Sequence, residues 1–497
     1  MPSQYEKTAH LMRRAAFGAT PAEINSKVSQ GLEATVDELV NYDLVTEDPS
    51  VPVSPTTSGG SSDIAAITIE DVATWWLTVM VRTKKPLRER MVHFWHDHFA
   101  TSYEKVREPN GGKHLYWQNQ LERTYATGNF RELCKGINRD PAMLRWLDSI
   151  ANTKASPNEN YGRELFEIFM LGFAASQDGT YSETDVQQAA RAFTGWGSGL
   201  LRGTNDAPVS PNPNGPATDP ALVVLIPPNT PPTPSTLASQ NHDYNNKTVF
   251  GVVQNFNGDD IVDLVLDHEP QRSASARMLA TKLFEHFAYE QPEAHIVDHL
   301  SAVLLRNNFS VKALLRDLFL NVKEFYSDKA LQSIEKWPTV YFVTTLRLLG
   351  LTGFNTRNAN PNNLRQMGQY LFWPPDVFGW PGREDWISTS QMLARANWAN
   401  GIVASTTLLP NASITNLIAG GNLGATPTAD QVVDYLWKLF VQRTPATIVR
   451  QALVDYIRKN DAGTIGTFSV ATDLTGNYKK VRGLLHLLLA RPETQNY

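Results

Sequence analysis

Between Ile64 and Gly199 apolar residues recur at the three- and four-residue spacing of helix faces, almost without a break. A chain written that way buries its stripes by packing helix on helix, and a mainly α, large multi-helix orthogonal bundle is the predicted fold class. Thr8 to about Leu44 reads as helical too, with Thr20-Pro-Ala-Glu23 as a capping box. Residues 45–63, rich in Pro, Ser, Thr and Gly, read as a loop. Ten of the 30 prolines then fall between Pro208 and Pro234, which excludes helix there. The expected organisation is an N-terminal helical half over 1–200, a proline-rich insertion over 201–257, and a C-terminal helical half over 258–497 packed on the first to form one large domain. The insertion is expected to carry a small hairpin over Val249 to Phe256. Within the last half, residues 355–386 are loop-like, and helices resume from Ser388 to Arg491 around a break at 405–428.

Bulk properties narrow the function. Charged residues are 19% of the chain against a usual share of about 25%. The formal net charge is −5 and no basic block is present, so neither nucleic acid nor an anionic membrane is expected as a partner. Cys134 is the sole cysteine, which rules out an intrachain disulfide, a thiolate metal cage and a CxxC redox pair. No run approaches the roughly 18 apolar residues of a membrane helix, so no transmembrane segment is expected. Met1 to Gly18 contains Arg13 and Arg14 and lacks the apolar centre of a signal peptide, which leaves a cytoplasmic setting open.

The segment Ser156 to Gly172 holds the leading site candidates. Ser156 reads as N-cap, Pro157 as the first helical residue, Glu159 as the capping-box acid and Gly172 as the stop. At 100° per residue, Asn160, Glu164, Glu167 and Leu171 form one stripe beside the apolar face of Tyr161, Leu165, Ile168 and Phe169. Carboxylates on a largely buried helix are costly unless paired or binding something. Arg163 is four residues from both Glu159 and Glu167 and competes for Glu167, whereas Glu164 has no local partner.

Other residues carry weaker signals. On a helix from Pro86, His98 falls with Leu87, Met91 and Phe94 inside an arc of about 60°, while His93 and His96 point away, so the three histidines cannot chelate together on a regular helix. His98 alone is then a candidate acid, base or metal ligand, or a core histidine held by a neighbour. Ser182 and Asp185 suit a capping box, and Glu183 or Asp185 could instead face Glu164. Arg191 and Trp196 follow on that helix and its exit. His242, Asp243 and Lys247 sit beside the insertion, and Trp373, Asp376, Trp380 and Trp386 crowd one irregular loop as a hydrophobic plug or a sugar platform. Nucleophile-elbow, P-loop, Rossmann, zincin and EF-hand motifs are absent.

Taken in order, His10-Leu-Met-Arg-Arg-Ala-Ala-Phe-Gly18, Phe94-Trp-His-Asp-His-Phe99, Asn158-Glu-Asn-Tyr-Gly-Arg-Glu-Leu-Phe-Glu167, Tyr181-Ser-Glu-Thr-Asp-Val186 with Ala190 to Trp196, Lys282-Leu-Phe284, and Gly368-Gln369 with Pro374 to Trp380 resemble the domain of unknown function 1800 family. The resemblance implies a mostly helical fold. It also implies an extracytoplasmic setting, periplasmic or secreted, and a sulfatase-like protein encoded nearby as a partner. It supplies no reaction.

Three functions therefore stay open. The first is a carboxylate-dependent hydrolase acting on a polysaccharide or envelope glycan, or on a small-molecule substrate. Glu164 would be its general acid, Glu167 or Asp185 its base or nucleophile, and His98 and Arg191 would tune charge. Asn160, Arg163, Arg191, His242 and Asp376 would contact substrate, while Trp196 and Trp380 would stack on sugar faces. No cofactor is favoured for it. The alternative with a divalent metal is a hydrolase or oxidoreductase using His98, Glu164, Glu167 and His242 as ligands to iron, manganese or zinc. The third is a non-enzymatic helical envelope binding or scaffold protein.

Overall fold

Local sequence fixes many helix starts. Ser3 with Glu6, Thr20 with Glu23, Thr68 with Asp71, Ser182 with Asp185, Asn257 with Asp260 and Thr428 with Gln431 all close reciprocal capping boxes. In the computed structural model, residues 2–57, 59–61, 67–107, 111–195, 242–352, 361–460 and 462–497 are described. Among the described residues 61% are helical and the one sheet has two strands, a mainly α fold. The prolines of 208–234 and Trp196 lie outside the described residues.

The site rests on a layer of three helices, Ile69–Arg82, Pro86–His98 and Gly111–Thr124, with Pro338–Leu348 packed on the first. Pro86–His98 has almost no solvent side, because Leu87, Glu89 to His96 and His98 are all buried. The expectation that His93 and His96 point away from the core is therefore corrected. A helix enclosed on every side must satisfy its polar residues internally. Glu89, with no exposure, accepts from Arg123 (3.1 and 2.7 Å), Arg88 (3.0 Å) and Trp76 Nε1 (3.0 Å), which ties the three helices together. The His96 ring accepts the Phe372 N–H at 3.1 Å, and His93 Nε2 lies 3.1 Å from Gln369 Nε2.

Two further groups complete the frame. Gln271–Phe287 packs on Ala294–Arg306, and Thr389–Ala404, Ala429–Phe440 and Thr447–Arg458 gather around Lys479–Leu489. One apolar cluster runs through both halves, from Ala9, Leu11 and Trp76 to Phe342, Leu436 and Tyr497. The hairpin pairs Lys247–Val249 with Val252–Gln254, and Phe250 and Gly251 at its tip both take positive φ (51° and 78°). A turn with two positive φ values matches the right-handed twist of paired strands. Among the described residues no helix is long and apolar enough to cross a membrane.

Candidate functional site

The segment expected to be one plain helix is built differently. Ser156 does not cap it; its N–H turns back to the Thr153 carbonyl at 3.0 Å. The start is made by side-chain turns, in which Asn152 Oδ1 accepts the Asn158 N–H (2.9 Å) and Asn158 Oδ1 accepts the Asn160 N–H (3.0 Å). Glu159 occupies the N-cap without a side-chain capping bond, and the helix runs over Asn160–Glu164 before widening into a π-helix over Leu165–Met170. Gly172, at φ +88°, ends it, with its N–H on the Phe166 carbonyl. Short π stretches are frequent at functional sites.

The far end of the π stretch is held from outside. His98 Nε2–H donates to the Phe169 carbonyl at 3.0 Å, and Lys282 Nζ donates to the Ile168 carbonyl at 3.3 Å and to His98 Nδ1 at 3.2 Å. Both His98 nitrogens are thus engaged, and burial with the Lys282 charge keeps its pKa well below the ordinary histidine value. Burial lowers the Lys282 ammonium as well.

The near end carries the acids. Arg163 sits among Glu159 (3.1 Å), Glu167 (3.8 Å) and Glu183 (2.8 Å). Glu164 is half-buried and forms no hydrogen bond or ion pair with a described residue. Burial first, and then the neighbouring Glu167, raise its pKa against the pull of Arg163. Glu167 is the acid whose charge bears on Glu164. Asp185 does not join them, because one oxygen closes the Ser182 capping box and the other accepts the Phe250 N–H at 2.7 Å. Asn160 is exposed at the first turn.

The remaining candidates fasten other parts of the fold. Arg191 pairs with Asp243 (2.7 Å) and Gln188 (2.6 Å), and His242 Nδ1–H donates to the Thr194 carbonyl (2.7 Å). Lys247 bonds the Asp243 carbonyl and Asn255, so this group anchors the hairpin to the helix Glu183–Ala192. Asp376 is exposed and caps its own turn through the Phe378 N–H. Trp380 is buried with its ring against His96, and Trp386 is buried beside Trp337, which favours the plug over the sugar platform.

Asp97 and Lys282 went unnoticed as chemistry in the sequence. Asp97 Oδ1 accepts the Trp380 N–H at 2.9 Å, and burial pushes its carboxyl up to about 7, opposed by that bond and by Lys282. Gly379, at φ +89°, lies so close that a Cβ there would collide with the Asp97 carboxylate. Four of the segments that carried the family resemblance meet here: Phe94 to Phe99, the helix after Asn158, Lys282 to Phe284, and Pro374 to Trp380. That shared membership was the available signal. Among the described residues no group of three or more His, Cys, Asp or Glu side chains is placed to hold a metal ion, so the ligand set of His98, Glu164 and Glu167 is not assembled.

No curated protein and no solved structure matches the chain. The family described as "protein of unknown function (DUF1800)" matches residues 10–496, and the chain belongs to that family.

Proposed function

We propose that the chain is a carboxylate-dependent hydrolase of a polysaccharide or envelope glycan, with Glu164 as proton donor and Glu167 as the second carboxylate. The observation that carries this reading is Glu164 itself, a half-buried carboxyl with no hydrogen-bond or ion-pair partner among the described residues and a raised proton affinity beside another acid. A carboxyl with raised proton affinity is the kind of group that passes its proton to a leaving-group oxygen. Glu167, flanked by the Arg163 guanidinium, then activates water or attacks the sugar carbon. Phe173, 59% exposed just past Gly172, adds apolar surface on which a sugar ring can rest. The extracytoplasmic setting and the sulfatase-like partner belong to the same reading and rest on the family resemblance.

The test is release of reducing ends from a panel of plain and sulfated polysaccharides by the wild type and by Glu164→Gln. Cleavage by the wild type that disappears in the variant, with helical circular dichroism preserved, supports the proposal. Equal cleavage by both proteins removes Glu164 from the chemistry.

A further inference from the structure

Trp373 is the indole of its loop cluster that the plug does not absorb. Unlike Trp380 and Trp386 it stays partly exposed, and it lies nearly parallel to the Tyr370 ring, with centroids 4.1 Å apart and planes 10° apart. Tyr103 meets the other partly exposed edge of this group, its ring 4.9 Å from Trp373 and steeply tilted to it. Trp373 and Tyr103 rest on the core, and Tyr370 lies over Trp373. A row of three aromatic rings reaching water is informative where a single exposed residue is not.

The backbone is bent to hold the rings there. Phe372, between Tyr370 and Trp373 in the chain, takes φ +68°, a left-handed conformation that a bulky residue adopts only when its surroundings impose it. Its N–H is fixed on the His96 ring at 3.1 Å, and its carbonyl accepts the Tyr103 N–H at 2.7 Å. The Trp373 N–H returns to the Tyr370 carbonyl at 3.0 Å. Strain of this kind gathers at ligand clamps, and here it sets one ring over the next.

Polar groups frame the outer ring. The Tyr370 hydroxyl donates to Glu70 at 3.4 Å, and the Arg365 guanidinium carbon stands 5.6 Å from the Tyr370 ring centre. Glu70 and Arg365 are exposed, opposite in charge, and form no ion pair with a described residue. Flat apolar rings bordered by a carboxylate, a guanidinium and a phenol suit a pyranose, whose C–H face lies on the rings while its hydroxyls pair with the border. The two border charges balance, which favours an uncharged sugar.

We infer that Tyr370, Trp373 and Tyr103 form a binding surface for a neutral glycan chain, built from residues other than the carboxylates Glu164 and Glu167. Contacts lead from it toward those acids: Lys105, two residues past Tyr103, bonds Asp148 at 2.7 Å, and Asn158 Nδ2 reaches the Asp148 carbonyl at 3.4 Å. The choice of a glycan rests in part on the proposed function, so the test reads binding apart from cleavage.

The full chain carrying Glu164→Gln, which consumes no ligand, is titrated calorimetrically with cellohexaose, xylohexaose, mannohexaose and chitohexaose, and with a decaproline peptide. The expected result is saturable binding of at least one sugar, weakened about tenfold by Tyr370→Ala and by Trp373→Ala, the loss of one aromatic stacking contact. Tyr370→Phe, which keeps the ring, should lose less. Tyr370 is the outermost ring, so its removal leaves the core packed, and an unchanged urea midpoint verifies that. No saturable binding of any sugar overturns the inference, as does undiminished affinity in both alanine variants. Binding of decaproline alone makes the surface a peptide-docking site and overturns it too. Sugar binding without reducing-end release by the wild type keeps this surface and removes the hydrolase reading. Release with a KM unchanged in Tyr370→Ala does the reverse.

Discussion

Asp97→Asn should stabilise the protein, and more so as pH rises. The asparagine keeps an oxygen for the Trp380 N–H and removes a poorly solvated charge. The Asp97 carboxyl moves from 3.8 to about 7 on folding. A carboxyl whose pKa is raised in the folded state binds its proton more tightly there, so stability is full below the unfolded value and falls as pH climbs from 3.8 through about 7. At about 1.4 kcal/mol per pKa unit, the wild type should lose about 2.5 kcal/mol between roughly pH 5 and pH 8 through this one group. The assay is urea unfolding of both proteins at those two pH values, comparing midpoints and slopes. The advantage of Asp97→Asn should be small at the lower pH and larger by about that amount at the higher one. Parallel pH profiles for the two proteins would refute the claim that this carboxyl is held against its ionisation.

Three further outcomes follow from the geometry. Glu89→Ala takes the acceptor from buried Trp76 Nε1 and the counter-charge from Arg123, which keeps its bond to Asn119, and should cost about 3–5 kcal/mol in urea unfolding, far more than an exposed pair such as Arg450 with Asp434. Asp185→Ala removes a helix cap and the hold on Phe250, so it should lower stability by about 1–2 kcal/mol while leaving any glycan cleavage intact. Gly379→Ala forces a methyl group against the Asp97 carboxylate at φ +89°, and the Pro374 to Trp380 loop should detach, read as a red-shifted tryptophan emission.

The fold was legible where information is local. The capping boxes at Thr20 and Ser182, the stop at Gly172 and the hairpin near Val249 depend on residues within one turn of each other, and all are present. The π stretch was not, because its carbonyls at Ile168 and Phe169 are held by Lys282 and His98, which lie far away in the sequence. Helix-wheel reasoning for His93 and His96 assumed a solvent face that Pro86–His98 does not have. Arg191, His242 and Asp185 carry the residue types of an active site, yet their partners are one another's neighbours in the fold. Glu164 stood out because no cation lay at helical spacing from it, and among the described residues none forms an ion pair with it.

Glu164→Gln separates chemistry from packing most directly. Since Glu164 has no bond to a described residue to lose, the urea midpoint of the variant should equal or exceed that of the wild type. Reducing-end release from the cleaved polysaccharide should fall by about 10²–10⁴-fold, the usual loss on removing a general acid. A variant that cleaves at the wild-type rate, or one that unfolds while its remaining folded fraction stays fully active, would contradict the account.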